Sequence, residues 1–248
     1  APPPVAREPR TVASRASAAR GAARDKLYVK YVLASQRYVM TVVKSAENAE
    51  PGSRDRADLG RLAAAEVRKW LKHQDESRYR APPEGVLMWM YLHLGRGLVF
   101  AGDTEKACTD GFDKCLKFSL TDFPISAIDW AWRVHLTARL FKGLALAEAG
   151  EWRRAADAVD EKAVAGAPAG SAVLLTRAAI LRARCLGKLR KYRASAREFD
   201  AALKSIERLR AGRGPEARHA DDLRARTVRR MGEMIGEALS AGVKIGED

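Results

Sequence analysis

Residues 143–155 read GLALAEAGEWRRA and residues 183–195 read ARCLGKLRKYRAS, and the two stretches place small and aromatic residues at the same intervals. Gly143, Ala145, Gly150, Trp152 and Ala155 in the first match Ala183, Cys185, Arg190, Tyr192 and Ser195 in the second, which continues through Phe199 and Ala202. Such a pattern encodes a helix with a small residue midway, a tight turn closed by an aromatic, and a second helix whose own small residue lets the two backbones approach closely. A weaker third copy lies upstream in Gly95, Gly97, Gly102 and Ala107, with Thr104 where the aromatic should stand. Matching turn residues fall at 102, 150 and 190, so the unit repeats with uneven spacing.

These residues resemble the tetratricopeptide (TPR) repeat. The spacing is longer than the roughly 34 residues of that repeat, so longer helices or loops are expected between turns. What the resemblance implies is an all-α fold, a right-handed array of antiparallel helix hairpins, and a non-catalytic module whose groove holds another macromolecule. The two-carboxylate-clamp pattern that would receive a C-terminal peptide is not evident, which argues against a chaperone-binding role.

Composition supports the helical reading and narrows the function. With 47% hydrophobic and 31% charged residues the chain is that of a globular, Ala-rich helical protein, and no apolar run approaches the roughly 20 residues needed to span a bilayer. Membrane contact is therefore expected only through partners. The 45 Lys and Arg against 31 Asp and Glu give a net charge of +14, which favours acidic partners, protein or nucleic acid. Cys108 and Cys115 are seven apart on one helical face, too far for a disulfide, so with Cys185 they read as buried small hydrophobes in a reducing compartment.

Four segments follow from the order of apolar runs and breakers. Residues 1–24 open on Ala-Pro-Pro-Pro and carry Arg7, Arg10, Arg15, Arg20 and Arg24 with a single acid, Glu8. They read as an extended basic arm that docks on a neighbour instead of folding by itself. An Arg-rich, Ser-rich, acid-poor start is also the composition of an organellar transit peptide, which makes a mitochondrial setting the expectation. Residues 25–80 form a helical pair, with Ser53 as the N-cap of the second helix. Residues 81–210 hold the hairpins: a helix from Val86 to Phe100, one from Ile125 to Ala149, one from Glu151 to Val164, then Ser171 to Gly187 and Lys191 to Leu209. Residues 211–248 close the chain with a capping helix from about Glu216 to Ser240 and a short tail.

Chemistry-bearing motifs are few. Gly212, Gly214 and Pro215 lack the Lys-Ser/Thr of a phosphate loop. His73, His93, His135 and His219 stand singly, without metal-ligand spacing. Ser, His and Asp are scattered without a nucleophile elbow. No enzyme activity, metal or cofactor is expected. Trp89, Tyr91, Trp130, Trp132 and Trp152 occur at helical spacing in apolar surroundings and read as core, not as a base-stacking platform.

The informative charge feature is the basic stretch from Arg177 to Arg230. Arg182, Arg184, Lys188, Arg190, Lys191 and Arg193 crowd one hairpin, and Arg224, Arg226, Arg229 and Arg230 crowd the last helix. Two adjacent basic helix faces form a candidate surface for an acidic protein or for phosphate. The expected function is thus an accessory structural subunit of a large mitochondrial complex binding other protein subunits. The alternative is an RNA-contacting subunit of an organellar ribosome.

Overall fold

The computed structural model describes residues 10–76, 83–212, 217 and 220–243, and among these the chain is all-α with no strand. Two long helices come first, α1 (Arg10–Asn48) and α2 (Arg54–Glu76). Ser53 caps α2 as expected, its hydroxyl accepting the Arg56 N–H at 3.2 Å. The next hairpin pairs α3 (Glu84–Phe100) with a composite arm of α4 (Thr104–Lys106), a π-helical turn (Ala107–Phe112) and α5 (Asp113–Leu116). The third pairs α6 (Ile125–Glu148) with α7 (Trp152–Ala158), which α8 (Glu161–Val164) follows. Then α9 (Ala172–Lys188) pairs with α10 (Tyr192–Ala211), and α11 (Ala220–Ser240) lies against both. Along the chain α1 touches α3, α3 touches α6, α6 touches α9 and α9 touches α11, while α2 also packs on α3 and α7 on α9.

Two expectations are corrected. Residues 10–24 are not extended but form the first turns of α1. Ala13, Ala16, Ala18, Ala19, Ala22 and Ala23 explain this, since alanine has the highest helix propensity and needs no packing to express it. Arg7 and the side chains of Arg10, Arg15, Arg20 and Arg24 lie outside the described residues, as do Gly214, Pro215 and His219. Secondly, the helix expected over 151–164 is broken: α7 stops at Ala158, and the Asp160 carboxylate accepts the Lys162 N–H at 2.9 Å to start α8. Asp favours such a cap over a helix interior, and the apolar pattern alone did not carry that preference.

The repeated turn is spatially real. At Gly102, Gly150 and Arg190 the backbone has φ of 84°, 81° and 59°. The N–H after each turn residue bonds the carbonyl five residues back, Asp103 to Leu98 at 2.9 Å, Glu151 to Leu146 at 2.8 Å and Lys191 to Leu186 at 2.9 Å. The turn residues' own N–H groups bond Val99, Ala147 and Gly187 at 3.0, 3.2 and 2.9 Å. This is the same double hydrogen-bonded helix terminus three times, and Gly242 repeats it at the end of α11 with φ of 72°. Ala107, Ala155 and Ser195, one turn into each following helix, are fully buried.

Arg190 is the single non-glycine residue with positive φ among those described. An L side chain in this left-handed region costs about 1–2 kcal/mol. Arg190→Gly is therefore expected to stabilise the chain by about 1 kcal/mol after its own entropic loss, while Gly150→Ala destabilises it by a comparable amount. Paired urea titrations check this, and equal midpoints for the two variants and the parent would remove the turn from the account.

Small residues set the helix approaches. Gly143 lies where α6 meets α7 and α9, and a Cβ there would stand 2.8 Å from Leu181 Cδ2 and 3.2 Å from the Ala155 carbonyl oxygen. Across the second hairpin Gly95 and Gly111 face each other, and Gly60 of α2 meets Gly97 of α3. The core grows around these crossings. One cluster joins α1, α2, α3, the π-helical turn and the first half of α6, with Trp70, Met88, Met90 and Phe112 fully buried. A second joins α6, α7 and α9 through Leu146, Val159 and Leu181. Smaller clusters seat α11 on α9 and α10. The three cysteines are buried free thiols, Cys115 in the first cluster and Cys108 and Cys185 in the second.

The aromatics read as core are mostly at its edge. Trp89 and Tyr91 pack half-buried against the first cluster and Trp152 half-buried against the second, but Trp130 is exposed beside Phe123. On long helices that stack through one face, the amphipathic ring settles where core meets water.

A candidate docking trough between α6, α9 and α11

Helical period places Arg177, Ile180, Leu181 and Arg184 on one stripe of α9, since residues three, four and seven apart share a face. That stripe faces Leu140, Phe141 and Leu144 of α6 on one side and Asp222, Leu223, Arg226 and Arg230 of α11 on the other. Together they line an open trough of about 310 Å³, apolar along its floor and walled by guanidinium groups. Beyond Arg184 and Arg230 it runs on into a smaller cleft edged by Lys188, Glu233 and Glu237.

The walls are held in place by packing. The Arg184 guanidinium lies over the Trp152 ring, 5.4 Å from its centroid, a cation–π contact that limits the side chain's freedom. Arg230 feels burial first and then the Arg184 charge, and both lower its pKa, with Glu233 opposing them. Among the described residues neither Arg177, Arg184 nor Arg230 has a carboxylate within ion-pair distance, whereas Arg226 Nε is 2.9 Å from Asp222 Oδ1. Like charges thus converge at the trough with little internal compensation.

Of the ten basic residues expected to form one surface, Arg184, Arg226 and Arg230 line the trough and Lys188 stands at its extension. Several of the ten, Lys188 included, are held in ion pairs within the chain. Arg182 pairs with Glu198 at 2.6 Å, part-buried between α9 and α10, Lys188 pairs with Glu237, and Arg224 pairs with Glu207 at 3.0 Å across α10 and α11. Arg190 occupies the turn, and Lys191, Arg193 and Arg229 are exposed. Three of the ten are thus held in ion pairs between helices, and the rest are divided between the trough, the turn and other exposed positions. The apolar floor was missed for a plain reason: Leu140, Phe141, Leu144 and Ile180 follow the same period as core residues. The available signal was Arg177 and Arg184 at the ends of the same stripe as Ile180.

Trp152 reads as core from the sequence, and a buried ring would be worth roughly 3–5 kcal/mol on truncation. Half-buried beneath Arg184, it is instead expected to cost about 2 kcal/mol in Trp152→Ala and to loosen the Arg184 side chain. Denaturant midpoints give the first quantity, and a loss as large as that of a core phenylalanine would contradict the half-buried placement.

No helix among the described residues is long and apolar enough to cross a membrane, and no group of three His, Cys, Asp or Glu is placed to hold a metal ion. Comparison with protein-family profiles, curated proteins and solved structures finds no match to this chain.

Proposed function

We propose that this chain is a non-catalytic scaffold of stacked helical hairpins, a right-handed TPR-like solenoid, that holds another protein in the trough formed by α6, α9 and α11. The observation that carries the reading is the trough itself, in which α6, α9 and α11 contribute an apolar floor and arginine walls, Arg177, Arg184 and Arg230 having no carboxylate within ion-pair distance among the described residues. A surface of this kind is built by stacking and persists without a ligand, as a scaffold requires. The arginine-rich, acid-poor composition of residues 1–24 supports an organellar, mitochondrial setting and membership of a larger assembly as an accessory subunit. An RNA-contacting role fits less well. Arg182, Lys188, Arg224 and Arg226 are committed to carboxylates of this same chain, and counterion release needs basic groups free to meet phosphates.

A photo-crosslinking residue at Ile180, on the trough floor, tests the reading against one at Arg193, which is exposed on α10. The expected result in native cells is a protein adduct from position 180 and none from 193. Adducts to RNA from position 180, or protein adducts only from 193, would replace this reading.

A further inference from the structure

We propose that the trough takes an acidic amphipathic helix of the partner protein, its apolar stripe seated on Leu140, Phe141, Leu144 and Ile180 and its carboxylates paired with Arg177, Arg184 and Arg230. The inference rests on the trough being the protein-binding site and names what that site recognises.

Charge complementarity fixes the sign of the occupant. Arg184 and Arg230 approach each other at the join of the trough and its extension, where the Arg184, Arg229 and Arg226 guanidinium groups act on Arg230 against the Glu233 carboxylate, and the other carboxylate of the cleft, Glu237, is paired with Lys188. Bringing anionic groups between these guanidiniums relieves their repulsion, and planar carboxylate–guanidinium pairs supply directional hydrogen bonds as well. Arg226 is left out of the recognition set because Asp222 already holds it.

The floor excludes a simple polyanion. A nucleic-acid backbone or a polyglutamate tract satisfies the walls but leaves the partly exposed side chains of Phe141, Leu144 and Ile180 facing water. Apolar area removed from water is the main source of docking energy, so the occupant must carry apolar groups between its acids. Nor is the floor a stacking platform for bases. Its one aromatic, Phe141, already has the Arg96 guanidinium against its ring, 4.8 Å from the centroid.

Spacing favours a helix. Arg177 and Arg184 are seven residues apart on α9, so their Cα atoms stand about 10.5 Å apart along it. Acids two turns apart on a bound helix have the same separation and share one face, with leucine-sized residues on the adjoining stripe.

The test uses a fluorescein-labelled amphipathic peptide with leucines at i, i+4 and i+7 flanked by glutamates, titrated with the full chain at physiological salt and read by anisotropy. Alongside it run the same composition scrambled to break the stripe, a polyglutamate of equal charge, and labelled oligouridylate. The amphipathic peptide is expected to bind about tenfold more tightly than either acidic control, and Arg177→Glu or Arg230→Glu to weaken it by about tenfold. Arg177 is exposed, so its variant keeps the fold, which a circular dichroism melt verifies. Equal binding of polyglutamate or oligouridylate, or indifference to both substitutions, overturns the inference. A partner crosslinked at position 180 that the peptide does not displace also overturns it, while leaving the scaffold reading intact.

Discussion

Gly111→Ala is expected to cost the chain about 3 kcal/mol or more, and Gly60→Ala a similar amount, although alanine is the better helix former at both positions. A Cβ on Gly111 would stand 2.3 Å from the Gly95 Cα and 2.5 Å from its nitrogen. One on Gly60 would stand 2.6 Å from both the Ala101 nitrogen and the Gly97 carbonyl oxygen. In each case the obstacle is main chain, so no rotamer change relieves it and two packed helices must separate. The propensity gain of about 1 kcal/mol is smaller than the overlap it accompanies. Gly232 supplies the control: nothing lies within 4 Å of a Cβ there, so Gly232→Ala is expected to gain about 1 kcal/mol. In a domain of this size the losses correspond to a fall in melting temperature of roughly 6–12 °C. Melting of Gly111→Ala at or above the Gly232→Ala value would mean the second hairpin does not close on its glycines.

Lowering the pH from 7.5 to 5 is expected to remove about 4 kcal/mol of stability through two histidines. His93 and His135 are buried on α3 and α6, and His93 Nδ1 and His135 Nε2 have no hydrogen-bond partner. Burial, helped by the Arg96 charge, lowers the His93 pKa to about 3. Burial and the Arg139 charge lower that of His135 to about 4, against carbonyls of Phe118 and Cys115 that pull the other way. Both rings stay neutral in the fold below the ordinary value of 6.5, while the unfolded chain takes up protons there. Stability is fully present above that value and falls as pH drops toward the folded pKa values, by about 1.4 kcal/mol per pH unit for each ring. Urea titrations between pH 7.5 and 5 measure the slope, and His93→Gln should halve it whatever it does to absolute stability. An unchanged slope in that variant would place the titration elsewhere.

What the sequence disclosed and what it withheld divide along physical lines. Long apolar periods located α3, α6, α9 and α10 within a residue or two, because burying one stripe of a helix demands that period whatever the tertiary arrangement. Small residues at 95 and 143 located two of the crossings, and the turn positions were right even at Arg190, where the residue type argued against it. The N-terminal turns of α1 were hidden because residues 1–24 have few large apolar side chains and so read as unable to fold alone, when alanine content was deciding the backbone. The π-helical turn at Ala107–Phe112 left no mark, since one added residue per turn disturbs no composition. The trough was half legible. Arg184, Arg226 and Arg230 were singled out, but their neighbours Arg182, Lys188 and Arg224 were equally basic on paper. Only the placement of Glu198, Glu237 and Glu207 across helix interfaces separates paired charge from unpaired charge, and such pairings between distant residues have no local signature.

The bends at Gly102, Gly150, Arg190 and Gly242 have a bearing on how such a chain can change over time. Each is closed by bonds between main-chain groups, which substitution does not remove, and one of them survives an arginine at its least tolerant position. Side chains within the repeating unit are then free to drift, and the stretch between bends is free to lengthen or shorten. Shape in this molecule is inherited through the peptide backbone more faithfully than through its residues, so its history can erase the resemblance between copies while preserving how they fit together.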